Sequence, residues 1–355
     1  MELKNIIIQK LFWIDFIKAL CMISVYLVHS ETYYSIDGVV HYGYWLIPFY
    51  VNAFFFISGY LFFQKYFKIE FSTNMNRGGY YKVLKNTLFR LVIPTLLFSS
   101  IIYLPKIIFH SKEVSFENYF FDVFGGISYW FTSALAVSQI VFLTLLFTFK
   151  RTSIWFYTIV SMLLFAIGYY LNINRSSNVP QAFFPWFYQT GLEYTFIMSL
   201  GGIYCCYEKQ IDKIMKYSSI IVVLAYIFGL SYTWESQNLK CLGLGGICNI
   251  PGFFCIICGI SILLLIAKQL NSIKWISFIG RNSIVFYFFS GMYPAVLGVT
   301  AQRIFSGKSY LVTIVVAIVA VILGAITTYV VNKYLAFMTD LRKLYGKRQT
   351  RNKEN

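Results

Sequence analysis

The sequence is poor in charge. Only 12% of its 355 residues are Asp, Glu, Lys or Arg, and just 14 are acidic, whereas 58% are hydrophobic and 20% are aromatic. An ordinary soluble domain has too little interior to bury that much apolar surface. The shortage of charge therefore excludes a soluble globular protein and indicates that lipid is part of the solvent.

The chain also lacks Gly/Ser-rich linkers, low-complexity tracts and basic patches with interleaved aromatic residues. Its net charge of +16 comes from Lys and Arg spread over short loops, which argues against a nucleic-acid partner. The seven cysteines have no acidic or histidine neighbours at metal-ligand spacing, so we expect no metal site. Cys241 and Cys248 share a predicted outside loop, where a disulfide is one option in an oxidising compartment.

Apolar runs of about 20 residues, the length that crosses a bilayer core of about 30 Å, recur along the whole chain. The pattern predicts an all-α polytopic membrane protein. We expect a single ten-helix membrane domain over residues 1–340 and a basic cytoplasmic tail over 341–355. The predicted spans are 11–30, 42–63, 86–109, 127–149, 153–172, 184–206, 216–234, 248–269, 275–298 and 310–335.

The orientation follows from the basic residues. Most of the 30 Lys and Arg residues fall in segments on the same side as the N-terminus. Positive loops stay in the cytoplasm, so we expect both termini to be cytoplasmic and the protein to lie in the cell (inner, cytoplasmic) membrane. The segment MELKNIIIQK is followed by no small-residue cleavage site, so we expect the first helix to be retained.

The first span, FWIDFIKALCMISVYLVHSE, carries three ionisable side chains: Asp15, Lys18 and His29. At about 100° per residue, their separations of 3, 11 and 14 place them close to one line along a helix. Asp15 and Lys18 are one turn apart and can neutralise each other. His29 lies on the same face, about 16 Å beyond Lys18 at 1.5 Å per residue.

Two interpretations of these residues stay open. Asp15 and Lys18 can be a structural pair, although ionisable groups inside membranes more often mark a substrate or proton path. His29 can be a core histidine or an interfacial anchor. The other two histidines are in a predicted outside loop (His41) and at the end of a span (His110), so His29 is the candidate if the bundle needs a general base near neutral pH.

These residues resemble the opening of the type 3 acyltransferase family of integral membrane O-acyltransferases. The family signature is an aspartate, a basic residue, ten further residues and a histidine, here Asp15, Lys18 and His29. Four more stretches follow in the family's order and extend the resemblance over nearly the whole chain: FFFISGYLF (54–62), FRLVIP (89–94), YWFTSALAVSQ (129–139) and ISFIGRNSIVFYF (276–288).

The resemblance implies transfer of an acyl group, usually acetyl, from cytoplasmic acyl-CoA to a hydroxyl of a glycan or lipid-linked sugar at the outer side. Acyl-CoA, the expected co-substrate, is a polyanion and needs a basic entrance. Lys85 and Arg90 at the inner end of the third span are candidates, although without the resemblance positive-inside anchoring is the favoured explanation of both. His29 would act as base on the acceptor hydroxyl or accept the acyl group itself.

Three further residues are site candidates with a structural alternative. Ser58 lies beside Gly59 in the second span, either at a gap for the thioester or at a close helix contact. Trp130 is an interfacial aromatic unless the family resemblance gives it a site role. Arg281 either joins the acyl-CoA entrance or anchors the ninth span.

The chain departs from the family at two places. Thr87 stands where many relatives have a second basic residue before the proline, and Ser290 stands near the place of a second histidine. The alternative function is a transporter or lipid-binding protein in which Asp15 and Lys18 line a path and His29 relays protons. Such a protein would be expected to contain inverted repeats, and the sixth span shows no counterpart of the first. Acceptor, acyl chain and oligomeric state stay open.

Overall fold

The structure, a computed structural model, describes residues 2–34, 42–65, 77–110, 115–149, 153–173, 185–235, 250–305 and 309–341. The regular elements in these ranges are helices, which confirms the predicted all-α class. The helices are α1 Glu2–Tyr33, α2 Tyr42–Tyr50, α3 Asn52–Phe62, α4 Arg77–Thr87, α5 Ile93–His110, α6 Phe116–Val123, α7 Trp130–Thr148, α8 Ile154–Ile173, α9 Tyr188–Tyr217, α10 Ser219–Glu235, α11 Ile250–Gln269, α12 Lys274–Arg281, α13 Ser283–Phe289, α14 Met292–Ile304, α15 Tyr310–Tyr334 and α16 Ala336–Thr339.

Within the described ranges, six helices are long and apolar enough to cross a membrane. Two bent helix pairs raise the number to eight if each pair is one span. Large apolar side chains on α10 and α15 are exposed, among them Ile220, Phe228, Leu311 and Ile322. Such faces are stable against hydrocarbon, because a helix satisfies its own backbone hydrogen bonds there. The chain is a multi-pass membrane protein.

The spans of the structure differ from the ten predicted ones at three places. The region of the predicted second span, 42–63, consists of two shorter helices, with Pro48 inside the first. The predicted sixth and seventh spans form one bent pair, with an angle of 76° between α9 and α10. The predicted ninth span is divided into α12, α13 and α14, and the axes of α13 and α14 differ by 41°.

The chain divides into two compact units. Unit 1 consists of Met1–Phe54 and Lys209–Val331, and unit 2 consists of Phe55–Glu208 and Asn332–Asn355. Residues 342–355, which include most of the predicted basic tail, lie outside the described residues, as do Cys241 and Cys248. The prediction of a single domain over 1–340 stays a prediction.

Helix α1 is the centre of unit 1. It packs against α2, α11, α12, α13 and α14, and its small residues Ala19 and Cys21 are fully buried. The approach of α12 is very close: a Cβ placed on Gly280 would lie 2.0 Å from the backbone oxygen of Asp15. Only a glycine allows the two backbones to meet there.

Glycines also set the main helix contact of unit 2. A Cβ on Gly59 of α3 would lie 1.9 Å from the Met198 oxygen, and a Cβ on Gly201 of α9 would lie 2.0 Å from the Phe56 oxygen. Phe55 stacks on Tyr194 with ring centroids 3.9 Å apart and planes 7° apart. Small residues thus let α3 and α9 pack backbone to backbone, as is common for helices in membranes.

The described part of unit 2 includes irregular segments before α5 and before α9. Between α4 and α5, residues Leu88–Val92 form a π-helical turn. Before α9, the consecutive residues Trp186 and Phe187 have positive φ angles of 57° and 48°. The backbone N–H and the indole N–H of Trp186 donate to the carbonyl oxygens of Gly125 and Phe124 at 2.7 and 2.9 Å, which fixes this turn.

Candidate functional site

Asp15 is a buried carboxylate held between two cations in unit 1. The residue is 8% exposed. The Nε atom of Arg281 donates to Oδ2 at 2.9 Å, and the Nζ atom of Lys18 lies 3.9 Å from Oδ1. The predicted pairing of Asp15 with Lys18 is therefore present, and Arg281 joins it. We call these three residues the Asp15 cluster.

The local sequence explains how Arg281 reaches Asp15. Helix α12 is short and amphipathic: Ile276, Ser277, Ile279 and Gly280 are buried. Gly280 brings the α12 backbone against the backbone of α1 at Asp15. Arg281, the next and last residue of α12, therefore starts within side-chain reach of the carboxylate.

The Asp15 cluster carries more positive than negative charge, since two cations flank one carboxylate. The side chains of Lys18 and Arg281 are 22% and 63% exposed, so the excess charge is accessible. A guanidinium has five N–H donors in a planar fork, and Asp15 takes the one on Nε. The remaining donors suit a bidentate contact with a phosphate or carboxylate group.

His29 lies further along α1. It is partly exposed, and its ring forms no hydrogen bond or ion pair with any residue that the structure describes. A neutral imidazole without a fixed partner can take a proton from a hydroxyl or attack a carbonyl carbon. The side chain is therefore available for chemistry.

Glu31, two residues after His29, contacts another helix. Its Oε2 accepts a hydrogen bond of 2.9 Å from the backbone N–H of Gly43, in the first turn of α2. The first backbone N–H groups of a helix are without partners inside the helix, and a carboxylate is favourable at that end. Glu31 thus holds α2 against α1.

The other predicted site residues belong to unit 2. Lys85 and Arg90 are exposed: Lys85 Nζ lies 5.4 Å from the centre of the Phe89 ring, and Arg90 lies within the π-helical turn. A π turn is rare and frequently accompanies a functional site.

Ser58 and Trp130 are both partly exposed. Gly59, beside Ser58, is at the close contact of α3 with α9. The ring of Trp130, at the start of α7, lies edge-on to Phe187 with centroids 6.4 Å apart. Close helix packing, the structural alternative for Ser58, is thus present at its neighbour Gly59. Trp130 makes an aromatic contact.

A buried carboxyl group on α9 was not predicted from the sequence. Glu193 of α9 is 1% exposed, and its Oε1 accepts a hydrogen bond of 2.7 Å from the amide of Asn172 in α8. Gln189, one turn earlier, is fully buried, and neither of its amide atoms has a hydrogen-bond partner among the described residues. An acidic residue inside an apolar predicted span was the signal that pointed to this group.

Among the described residues, no group of three or more His, Cys, Asp or Glu side chains is placed to hold a metal ion.

Comparison with known proteins supplies the reaction class. The family model for the acyltransferase domain of the acyltransferase 3 family matches residues 11–330, which include the Asp15 cluster and His29. Comparisons with curated proteins and with solved structures gave no significant match. The match covers most of the chain and includes all predicted membrane helices in whole or in part, so the chain belongs to the acyltransferase 3 family and is a membrane acyltransferase.

Proposed function

We propose that the protein transfers an acyl group, with acetyl as the expected one, from cytoplasmic acyl-CoA to a hydroxyl of a cell-surface or lipid-linked carbohydrate. The observation that carries the proposal is the Asp15 cluster, in which two cations surround one buried carboxylate. His29 lies on the same helix as Asp15 and Lys18, and its ring forms no hydrogen bond or ion pair with a residue that the structure describes. Family membership supplies acyl transfer as the reaction.

The Asp15 cluster suits the donor. Acyl-CoA carries phosphate groups, and the free N–H donors of Arg281 can bind an anionic oxygen in bidentate fashion. Lys18 adds a second cation one turn along α1 from Asp15. Asp15 orients both side chains and lowers their mutual repulsion, so it acts as a positioning residue.

His29 suits the transfer step. As a base, its imidazole takes the proton of the acceptor hydroxyl while the oxygen attacks the thioester carbonyl. The C–S bond then breaks, the ester forms, and the thiolate of CoA receives the proton from the imidazolium. As a nucleophile, the imidazole instead attacks the thioester and passes the acyl group to the hydroxyl in a second step.

The proposed path crosses the membrane. With both termini in the cytoplasm, the Asp15 cluster lies in the inner half of α1, and His29 lies about 16 Å further out. Lys85, Arg90, Ser58 and Trp130 belong to unit 2, and their expected roles toward acyl-CoA stay predictions. The excess of basic residues on the N-terminal side supports this orientation.

The test uses membranes that contain the full chain and radiolabelled acetyl-CoA. Label should appear on surface polysaccharide or lipid-linked glycan, and His29→Ala should abolish it, since no other histidine lies in the span. His110→Ala, at the last residue of α5, is the matched control and should label normally.

Equal labelling with and without His29 would refute its role. If no acyl-CoA of any chain length gave label, acyl transfer to these acceptors would be refuted and the transporter alternative favoured. Inverted membrane vesicles, in which the cytoplasmic face is outside, should use added acetyl-CoA faster than right-side-out vesicles. The opposite result would overturn the orientation.

A further inference from the structure

The helix pair α13–α14 breaks at Ser290 and Gly291. In a continuous helix the N–H of Ser290 would donate to the carbonyl of Phe286, four residues earlier. Here it donates to the carbonyl of Tyr287 at 3.1 Å, and the Ser290 hydroxyl donates to the same oxygen at 2.8 Å. The carbonyl of Phe286 is thereby released from the helical pattern.

Tyr26 of α1 supplies a hydrogen-bond donor to the released carbonyl of Phe286. Its hydroxyl donates to the released Phe286 oxygen at 2.9 Å, and its residue is fully buried. A backbone carbonyl without a partner costs several kcal/mol in a membrane interior, so this hydrogen bond stabilises the broken form of the pair. Gly324 of α15 provides the space for the Tyr26 hydroxyl, because a Cβ at this position would lie 2.6 Å from it.

His29 lies on α1 between two residues that contact α13 and α14 on either side of the break. Tyr26, His29 and Tyr33 are spaced i, i+3 and i+7 on α1 and therefore share one face. Tyr26 contacts Phe286 before the break, while Tyr33 meets Gly298 beyond it and its carbonyl accepts a hydrogen bond from Gln302 at 2.8 Å. His29 lies between these two contacts, at the level of the break.

The break is not closed by packing. A Cβ on Gly291 would meet no heavy atom within 4 Å of the described structure. Backbone that leaves the helical pattern at membrane depth is tolerated where protein surrounds it or where it lines a cavity. The side of the break toward which a Gly291 Cβ would project is therefore not filled by described protein.

We propose that Tyr26 is a positioning residue for acyl transfer: its hydroxyl bond to the Phe286 carbonyl fixes the α13–α14 break beside His29, so that the reacting groups meet the imidazole in one geometry. This inference rests on the proposed function of His29. It assigns no contact between Tyr26 and the substrate.

The test compares two tyrosines that make the same kind of contact. Tyr26→Phe removes the hydroxyl and keeps the ring, which packs edge-on to Phe286. Tyr226→Phe is the matched control, because Tyr226 also donates to a backbone carbonyl of another helix of unit 1, that of Trp45 at 2.5 Å, and also packs on a glycine, Gly259. Both variants lose one hydrogen bond between a tyrosine hydroxyl and a backbone carbonyl and should unfold at similar temperatures.

With radiolabelled acetyl-CoA, Tyr26→Phe should lower kcat about fivefold to tenfold, the equivalent of one hydrogen bond, and leave KM for acetyl-CoA unchanged. Tyr226→Phe should keep the kcat of the unaltered chain. Gly324→Ala, which displaces the Tyr26 hydroxyl from another helix, should lower kcat similarly, and adding it to Tyr26→Phe should lower kcat little further. Equal kcat values for Tyr26→Phe and Tyr226→Phe would overturn the inference.

A second readout keeps the two proposals apart. Carbethoxylation of His29 by diethyl pyrocarbonate, followed by mass spectrometry of its peptide, reports access to the ring without any turnover. Tyr26→Phe should change the carbethoxylation rate about threefold or more relative to Tyr226→Phe. The reason is that loss of the Tyr26 hydrogen bond lets the α13–α14 break move and alters the surroundings of the His29 ring. If the unaltered chain gave no acyl transfer, the proposed function would fail, and an unchanged carbethoxylation rate would then refute the Tyr26 role as well.

Discussion

Asp15 in unit 1 and Glu193 in unit 2 are buried carboxyl groups on long helices, and the two are partnered differently. Asp15 in unit 1 lies between two cations, Lys18 and Arg281, whereas Glu193 in unit 2 accepts a hydrogen bond from the neutral amide of Asn172. An amide supplies a donor but no charge. The surplus of cations at Asp15 is therefore more than burial of a carboxylate requires, which supports the proposed binding of an anionic donor there and not at Glu193.

Replacing each carboxyl group by an amide should separate these roles most clearly. Asp15→Asn leaves Lys18 and Arg281 facing each other and should lower the free energy of unfolding by about 3 kcal/mol, the lower end for a broken buried pair because Arg281 is largely exposed. Glu193→Gln keeps the acceptor oxygen for Asn172 and should cost less than about 1 kcal/mol. Denaturant unfolding in detergent micelles measures both, and similar losses would contradict the distinction.

Two glycines test the close backbone contacts beside the carboxyl groups. A Cβ on Gly280 would lie 2.0 Å from the Asp15 oxygen, and one on Gly168 would lie 2.4 Å from the Gln189 oxygen. Each Ala variant should lose about 2 kcal/mol of stability, since backbone atoms cannot turn away.

Only Gly280→Ala should also raise KM for acyl-CoA, because it moves Arg281 away from Asp15. A normal KM in Gly280→Ala, or a raised KM in Gly168→Ala, would show that the Asp15 cluster does not bind the donor. Steady-state labelling over a range of acetyl-CoA concentrations gives these values.

The smallest effect on stability is expected at Arg281 itself, since its side chain is 63% exposed. Arg281→Gln should change the free energy of unfolding by less than about 1 kcal/mol and raise KM for acyl-CoA about fivefold. Arg303→Gln, an exposed cation in the last turn of α14, is the matched control and should leave KM unchanged. Equal KM values for both variants would remove Arg281 from the donor site.

The spacing of Asp15, Lys18 and His29 could be read from the sequence, because a helix fixes which residues share a face. The partnership of Asp15 with Arg281 could not, because the two residues are 266 positions apart and no local pattern joins them. The same holds for Gly280, whose importance arises from a neighbouring helix. Sequence distance, more than residue type, limited the prediction of the site.

The helices were predicted well where one apolar run forms one helix, as in α7 and α8. The ninth span was predicted as one helix, whereas the structure has three helices there. The sequence did contain signals of a break: Gly291 and Pro294 follow Ser290 within four residues, and both residue types interrupt helices. In the predicted second span, Pro48 gave a similar signal. Hydropathy alone reports apolar length and does not show where a helix bends.

The link between Asp15 and Arg281 also bears on how the protein is made. A ribosome that adds about 5–20 residues per second delivers Arg281 roughly tens of seconds after Asp15. During that interval α1 has only Lys18, one turn away, as an ionic partner for its carboxylate. The nearby lysine thus lets the first helix enter the bilayer early in synthesis, and the arginine completes the pairing once most of the chain has been inserted.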